Sequence, residues 1–575
     1  MALLPASEYI KTFVKGKDYP VYMDTPALLT LASGYLLPGE VPKDAIRRLA
    51  KRASDILKRP DLEQAFFECI WNGWIAPSSP IWANFGAIRG LPISCFGSFV
   101  EDSIAGIFDT VSEIAMMSKL GGGTSGYFGA IRGRGSKIDN GTSKTNGSKP
   151  FLQIFDSVIN HVSQGKTRRG AFAGYLPIDH LDINEFLNIR KPGDPVQQLL
   201  TGVSISDEFI ESLFDGNQKS LTTWAKVIES RISSGIPYIF YEGNANKFAA
   251  DVYKILQKKI LHSNLCTEIM LPDNIDESFI CCLLSLNLFN YDDWMTTEMC
   301  GLTVPQIAVY FLDAVTDDFI QKASSIPHME KAVAFAENHR ALGIGVLGWH
   351  SYLQSKNQPF CGIFATAMTN KIFSQIRNEV FEASTMMASE YSVAPICLAA
   401  GINRRHSTLL AIAPTVSNAT IQGWPVSPSI EPLPGNYYIQ KAAKGTFIRK
   451  NPFLEQKLVL YGMNINEVWD SIKIKAGSVQ HLEFMTAEDK ETFRTFEEIN
   501  QFELVKQAAI RQQYLDQGQS LNLNIPPETN AKQISKLYLF AHKLGLKSLY
   551  YQRSKSILAG GLNIMDEEAC VACSG

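Results

Sequence analysis

The pattern of apolar and polar positions is clearest between residues 40 and 75. Ile46, Leu49, Ala50, Ala53, Ile56 and Leu57 recur at helical spacing, with Arg and Lys between them. Asp61 and Leu62, after Pro60, open a second helix carrying Ala65, Phe66, Cys69 and Ile70. A loop rich in Pro and Ser begins at Pro77. Further on, Cys95 to Val100 reads as a strand and Ile104 to Lys119 as a helix, which Gly121-Gly122-Gly123 breaks. The segment Asn184 to Asp194 ends in the loop signal Lys191-Pro192-Gly193-Asp194, and Gly202 to Ser206 reads as the next strand. This alternation predicts an α/β architecture. A second mixed stretch runs from about 335 to 555. Ala559-Gly560-Gly561 then reads as a hinge, and Asp566 to Gly575 as a short acidic tail.

The 575 residues allow several domains or one large catalytic unit with accessories. Hydrophobic residues make up 45% and charged residues 19%, which is enough apolar material for a substantial core. A net charge of −3 gives no global pull toward nucleic acid or anionic membrane. The longest apolar candidate, Ala27 to Leu37, is interrupted by Thr, Ser and Gly, so no membrane span is expected. The N-terminus lacks a basic start followed by an apolar run, and the expected location is the cytoplasm.

Chemistry enters with the ten cysteines, which are too scattered for a disulfide framework. The plainest reading of each is a buried thiol. Cys266 differs, because Asn264 and Glu268 flank it at alternate positions. In an extended or tightly looped backbone, an amide, a sulfur and a carboxylate would then share one face. Ile280 to Leu288 contains Cys281 and Cys282, and Pro92 to Cys95 lies far upstream. Two such thiols brought together could deliver two electrons and close to a disulfide. On a strand only one of Cys281 and Cys282 can face the same pocket. Cys570-Val571-Ala572-Cys573 is a lone C-x-x-C after the Gly-Gly hinge, with no second half for a zinc site, and no metal site is expected in this chain.

These segments together resemble the large, catalytic subunits of class I ribonucleotide reductases. Asn264-x-Cys266-x-Glu268 is similar to the family's finger-loop triad. Ser94-Cys95 and Cys281 through Asn287-Leu288 resemble the strands bearing its two reducing cysteines. Gly121 to Gly123, Ile131 to Ser136, Arg340 to Val346, Ala413 to Ser417 and Leu549-Tyr550-Tyr551-Gln552 match further motifs in the family's order. The resemblance runs from about residue 77 to the C-terminus.

The resemblance implies a ten-stranded α/β barrel, formed by two five-stranded parallel half-sheets around a central finger loop. It implies an N-terminal helical region over 1–76 without an ATP-binding cone, the barrel over 77–555 and a redox-active tail over 556–575. The missing cone and compact length look like a phage-encoded or otherwise minimal form, a phage enzyme acting in its host's cytoplasm. Cys266 would become a thiyl radical, Glu268 the base and Asn264 the residue that orients the sugar. Cys95 and Cys281 would supply the electrons. Tyr550 and Tyr551 would relay a radical from a small subunit that contains two metal ions. Cys570 and Cys573 would pass electrons from thioredoxin or glutaredoxin. Ser79, Ser94, Gly123, Pro414, Thr415, Val416, Ser417 and Asn418 would hold the ribonucleotide, and Asp102 and Arg132 a dNTP or ATP effector. Gln197 and Gln198, in the loop Lys191 to Leu199, would report effector identity, and an effector-bound homodimer is implied. The reaction implied is reduction of ribonucleotides, as diphosphates, to 2'-deoxyribonucleotides for DNA synthesis. The alternatives are an adenosylcobalamin-dependent class II enzyme and a catalytically dead nucleotide-binding paralogue.

Overall fold

The computed structural model describes residues 10, 14, 16–162, 170–442, 445–553 and 564–566. The two helices expected between 40 and 75 are Pro42–Leu57 and Glu63–Trp71, joined by a 3-10 turn at Pro60–Leu62. Pro42 sits in the first turn, where its missing N–H leaves no helix bond unmade. The buried face of the first helix is Ala45, Ile46, Leu49, Ala50, Ala53 and Leu57. These residues join one continuous core with Ile307, Phe311 and Val315 of the helix Val304–Ala323. The N-terminal helices are therefore part of the main body. The expected boundary at residue 76 falls inside strand β1, Ile75–Pro77, which pairs antiparallel with the central strand β7, Phe279–Asn287.

Five strands form the first half of the barrel. They are β2 (Cys95–Phe99), β3 (Gly123–Tyr127), β4 (Phe172–Pro177), β5 (Leu200–Ile205) and β6 (Tyr238–Tyr241). All four neighbouring pairs are parallel, and the helices Ile104–Lys119, Lys149–His161 and Gln218–Ser234 lie between them in the chain. This half-sheet is as the resemblance implied.

The second half is less regular. β7 pairs antiparallel with β2 and parallel with β8, Leu342–Leu347. Beyond β8 the ring continues through residues 408–412, where Ile344 N donates to Leu409 O and Ala411 N donates to Ile344 O. It then passes to residues 517–520, with Ile412 N donating to Gly518 O and Ser520 N to Ile412 O. It closes through β9 (Leu523–Asn524), β10 (Ser548–Leu549) and β11 (Gln552–Arg553), β10 being antiparallel to β6. Side chains replace ladder bonds along this stretch. The Asp516 carboxylate accepts from Leu409 N and Leu410 N at 2.8 Å each. Gln517 donates to Leu342 O at 2.8 Å and accepts from Met270 N at 3.2 Å. Gly345 permits the close packing: a Cβ there would lie 2.5 Å from Ala411 O.

A satellite core that the periodicity did not single out lies over 437–493. Leu454, Leu458, Trp469, Ile472 and Phe493 pack there, beside a hairpin formed by Tyr437–Ala442 and Gly445–Lys450. Among the described residues no helix is long and apolar enough to cross a membrane.

Candidate active site

Cys266 lies in a segment without regular structure between the helix Asp251–Ile255 and β7. The chain turns sharply at Thr267, whose φ of 66° is rare for a β-branched residue. Side-chain and backbone bonds from the second half-barrel hold this turn. Gly518 N donates to Glu268 O at 2.8 Å, and Ser548 Oγ donates to Thr267 O at 2.7 Å. The Ser520 hydroxyl lies against both Cys266 O and Glu268 Oε2, the latter at 3.2 Å.

The triad does not converge by simple alternation. Asn264 is fully buried, and its side chain braces the loop. Its Oδ1 accepts from Glu268 N and Ile269 N at 3.1 Å each, while its Nδ2 donates to Cys95 Sγ at 3.1 Å. Cys266 and Glu268 face a cavity that Cys95 also lines. The other walls of that cavity are Ser78, Ser79, Pro80, Ser94, Leu283, Leu284, Ser285, Ala413, Pro414, Thr415 and Asn418.

The two expected reducing cysteines meet by strand register. Cys95 on β2 stands directly opposite Cys281 on β7. Opposed residues in an antiparallel pair have Cα atoms about 4.5–5.5 Å apart, within the range a disulfide spans. Cys282 is paired with Leu342 and lies by Thr316 and Asp313 of the helix Val304–Ala323. Of the two neighbours, it is Cys281 that stands opposite Cys95. Burial holds the Cys281 thiol well above its ordinary range, with the neighbouring Cys95 adding to the effect.

Glu268 is the ionisable group of the cavity. Burial raises its carboxyl from 4.5 to about 7, against hydrogen bonds from its own backbone, Asn264 and Ser520 that pull it down. Its Oε1 has no hydrogen-bond partner among the described residues, nor do the hydroxyls of Ser78 and Ser94. Three orphaned polar atoms around one cavity call for a polar occupant.

The remaining expected contacts divide. Gly123 pairs with Cys95 across β2–β3, and its N donates to Ser94 O at 2.8 Å, so it shapes the wall from behind. Thr415 is left-handed (φ 52°) at the start of the helix Val416–Ile421, and its Oγ1 accepts from Ser429 N at 2.7 Å. Val416 and Ser417 are buried in that helix and do not line the cavity. Asp102 and Arg132 form an ion pair with Nε–Oδ2 at 2.5 Å on the surface. Gln197 donates to Lys191 O and Asp194 O within its own loop, and Gln198 N donates to Asp156 Oδ1 at 2.9 Å. Cys570 and Cys573 lie outside the described residues.

Tyr550 is fully buried and Tyr551 partly so, with ring centroids 4.4 Å apart. Sequence reasoning missed Tyr238 on β6, whose ring lies 4.8 Å from Tyr550 and 5.0 Å from Tyr551. Arg231, buried, donates to Tyr550 O at 2.9 Å and to Tyr538 Oη at 2.7 Å, fixing this cluster. Ser78, Ser285 and Ser520 were also missed. Ser78 was within reach, as the neighbour of Ser79, whereas nothing local marks Ser520.

A closed α/β barrel carrying a cysteine loop and an opposed cysteine pair defines a ribonucleotide-reductase barrel. The family model described as "Ribonucleotide reductase, barrel domain" matches residues 93–223, 218–396 and 399–552. The ribonucleoside-diphosphate reductase large subunit of Invertebrate iridescent virus 3 is 33% identical over 577 residues, covering 86% of this chain and 88% of the viral protein. The Caenorhabditis elegans large subunit is 29% identical over 608 residues, covering 92% of this chain and 75% of the worm protein. The solved Actinobacillus ureae class Id ribonucleotide reductase alpha subunit superposes with a TM-score of 0.87 at 45% identity, covering 93% of this chain and 98% of that one. The chain belongs to the ribonucleotide reductase large-subunit family, and its reaction is the reduction of ribonucleotides.

Proposed function

We propose that the chain is the catalytic subunit of a two-subunit class I enzyme that reduces ribonucleoside diphosphates to 2'-deoxyribonucleotides. The observation that carries this reading is the cavity, where Cys266, Cys95 and Glu268 line one space together with the orphaned hydroxyls of Ser78 and Ser94. In this reading the Cys266 sulfur, as a thiyl radical, takes the ribose 3' hydrogen. Glu268 accepts the 3' hydroxyl proton, which requires its ionised form. The 2' hydroxyl leaves as water. Cys95 and Cys281 supply two electrons and two protons and end as a disulfide. Asn264, bonded to Cys95, keeps the loop and that thiol in register. Burial of the whole loop excludes water from the radical.

Ser78, Ser79, Ser94, Thr415 and Asn418 would contact the nucleotide: all line the cavity, the last two at the start of a short helix whose first N–H groups lack helical partners. A small subunit with its metal centre generates the radical, which Tyr551 and Tyr550 pass inward to Cys266. Residues 556–575 serve as a tail whose Cys570 and Cys573 reduce the Cys95–Cys281 disulfide and are reduced in turn by thioredoxin or glutaredoxin. Binding of a dNTP effector separates the Asp102–Arg132 pair and favours a homodimer.

The test combines the purified chain, a class I small subunit, a dithiol and labelled CDP or CTP. The expected result is deoxycytidine diphosphate formation that needs the small subunit and is lost in Cys266→Ser. Turnover with adenosylcobalamin and no small subunit would overturn the class I reading, and an active Cys266→Ser the radical role.

A further inference from the structure

Beneath the Cys266 loop lies a buried pair that the proposed chemistry does not use. His262 and Asp273 both have fully buried side chains, and His262 Nε2 stands 2.7 Å from Asp273 Oδ2. The other ring nitrogen, Nδ1, is 2.9 Å from Ser263 O. A carbonyl oxygen can only accept, so Nδ1 carries a hydrogen. The contact between Nε2 and the carboxyl group needs one more. Aromatic rings also surround the imidazole and fix its plane: Tyr127 stacks at 6.0 Å and 21°, Phe279 lies at 5.2 Å and Tyr175 at 5.5 Å.

The pair spans the base of the loop. Ser263 follows His262, its hydroxyl donates to Ile269 O at 2.8 Å, and Asn264, which bonds Cys95, comes next. Tyr175 beside the imidazole donates to Asn264 O at 2.8 Å. The other titratable groups facing the pair are Glu113 from the helix Ile104–Lys119 and Tyr127 from β3, with Lys331, Asp179 and Glu242 further out.

We infer that His262, bridging Asp273 and Ser263 O, is a positioning residue that holds the Cys266 loop in register with Cys95. This rests on the reading of Cys266 given above. Loss of the imidazole frees the Ser263 carbonyl, and loss of the Asp273 carboxylate releases the ring that holds it, while the wall of Ser78, Ser79 and Thr415 on other segments stays in place.

The experiment uses the full chain with its small subunit. His262→Gln and Asp273→Asn, assayed well below their melting temperatures, should each lower kcat by about ten- to a hundredfold with KM for the ribonucleotide little changed. The double variant should be no worse than the poorer single one, since both remove one device. NMR of ¹⁵N-histidine protein, assigned by His262→Gln, should show the hydrogen on His262 Nδ1 that the Ser263 carbonyl requires. A His262 Nδ1 without hydrogen, or unchanged kcat in both variants, overturns the inference. Cys266→Ser in parallel separates the two ideas: an active Cys266→Ser defeats the radical reading, while inactive Cys266→Ser with fully active His262→Gln defeats the positioning role alone.

Discussion

The two halves of the barrel are built differently. In the first, β2 to β6 run parallel in unbroken register, and the face toward the Cys266 loop carries Tyr175, Ser204 and Phe240, with Val203 and Ile205 on the opposite face. In the second, only β7 and β8 form a long ladder, and the rest of the ring is carried by single bridges and by Asp516 and Gln517 side chains. Most of the candidate chemistry hangs on the irregular half. Glu268 is tied to Gly518 and Ser520, Pro414 and Thr415 line the cavity, and Tyr550 is bonded to Leu521. Regular ladders satisfy every backbone group and leave little to adjust, whereas a broken ladder frees groups that side chains can then aim. The regular half serves as frame, and Cys95 at its edge is the point where frame meets site.

The sharpest test of that division exchanges neighbours on one strand. Cys281→Ser should lower dithiol-driven turnover by about a thousandfold or more. Cys282→Ser, one residue on but facing the helix Val304–Ala323, should leave kcat within about threefold and lower stability by about 1–3 kcal/mol. Equal losses of turnover would dissolve the distinction.

Glu268→Gln comes next. The Glu268 carboxyl titrates higher folded than unfolded, so the stability it contributes is full below about 4.5 and is lost as pH rises through about 7. Removing the charge should abolish turnover yet raise stability above pH 7 by roughly 3 kcal/mol, with no gain below pH 4.5. Melting curves at pH 4 and pH 8 measure both ends. In the native protein kcat/KM should climb with pH through about 7, as an ionised base requires.

Ser520→Ala should have a milder effect. Its hydroxyl favours the Glu268 carboxylate, so its loss should move the pH–rate midpoint upward and lower kcat at pH 7 by about tenfold. The smallest change belongs to the frame: Ile205→Val in β5 should cost about 1 kcal/mol of stability in denaturant titrations and leave kcat unchanged.

Legibility in the sequence followed the same division. Helices 42–57 and 104–119 announced themselves through apolar spacing, because each has one face in the core, and strand β2, buried on both faces, through its short run of small and apolar residues. The segments 408–412 and 517–520 did not, since no ladder of their own imposes a period and their partners are distant in the chain. Cys266, Asn264 and Glu268 were legible as a group, although the way they meet was not. Alternation suggested a common face, while a left-handed Thr267 and a bracing Asn264 produce the arrangement. Tyr238 and Ser520 join their clusters only through tertiary packing, and the 437–493 unit is polar enough at its surface to blur its helical period.

The bonds between Ile412 and residues 518–520 close the ring, and the same residues pin Glu268 and Cys266. That coincidence gives the molecule two lifetimes. Opening at this seam breaks few hydrogen bonds and leaves β2 to β6 and their helices standing, so it is cheaper than global unfolding. Each opening nonetheless unmoors the loop. As a catalyst the protein should therefore expire sooner than as a folded chain, with gentle heating erasing activity while the helical signal persists.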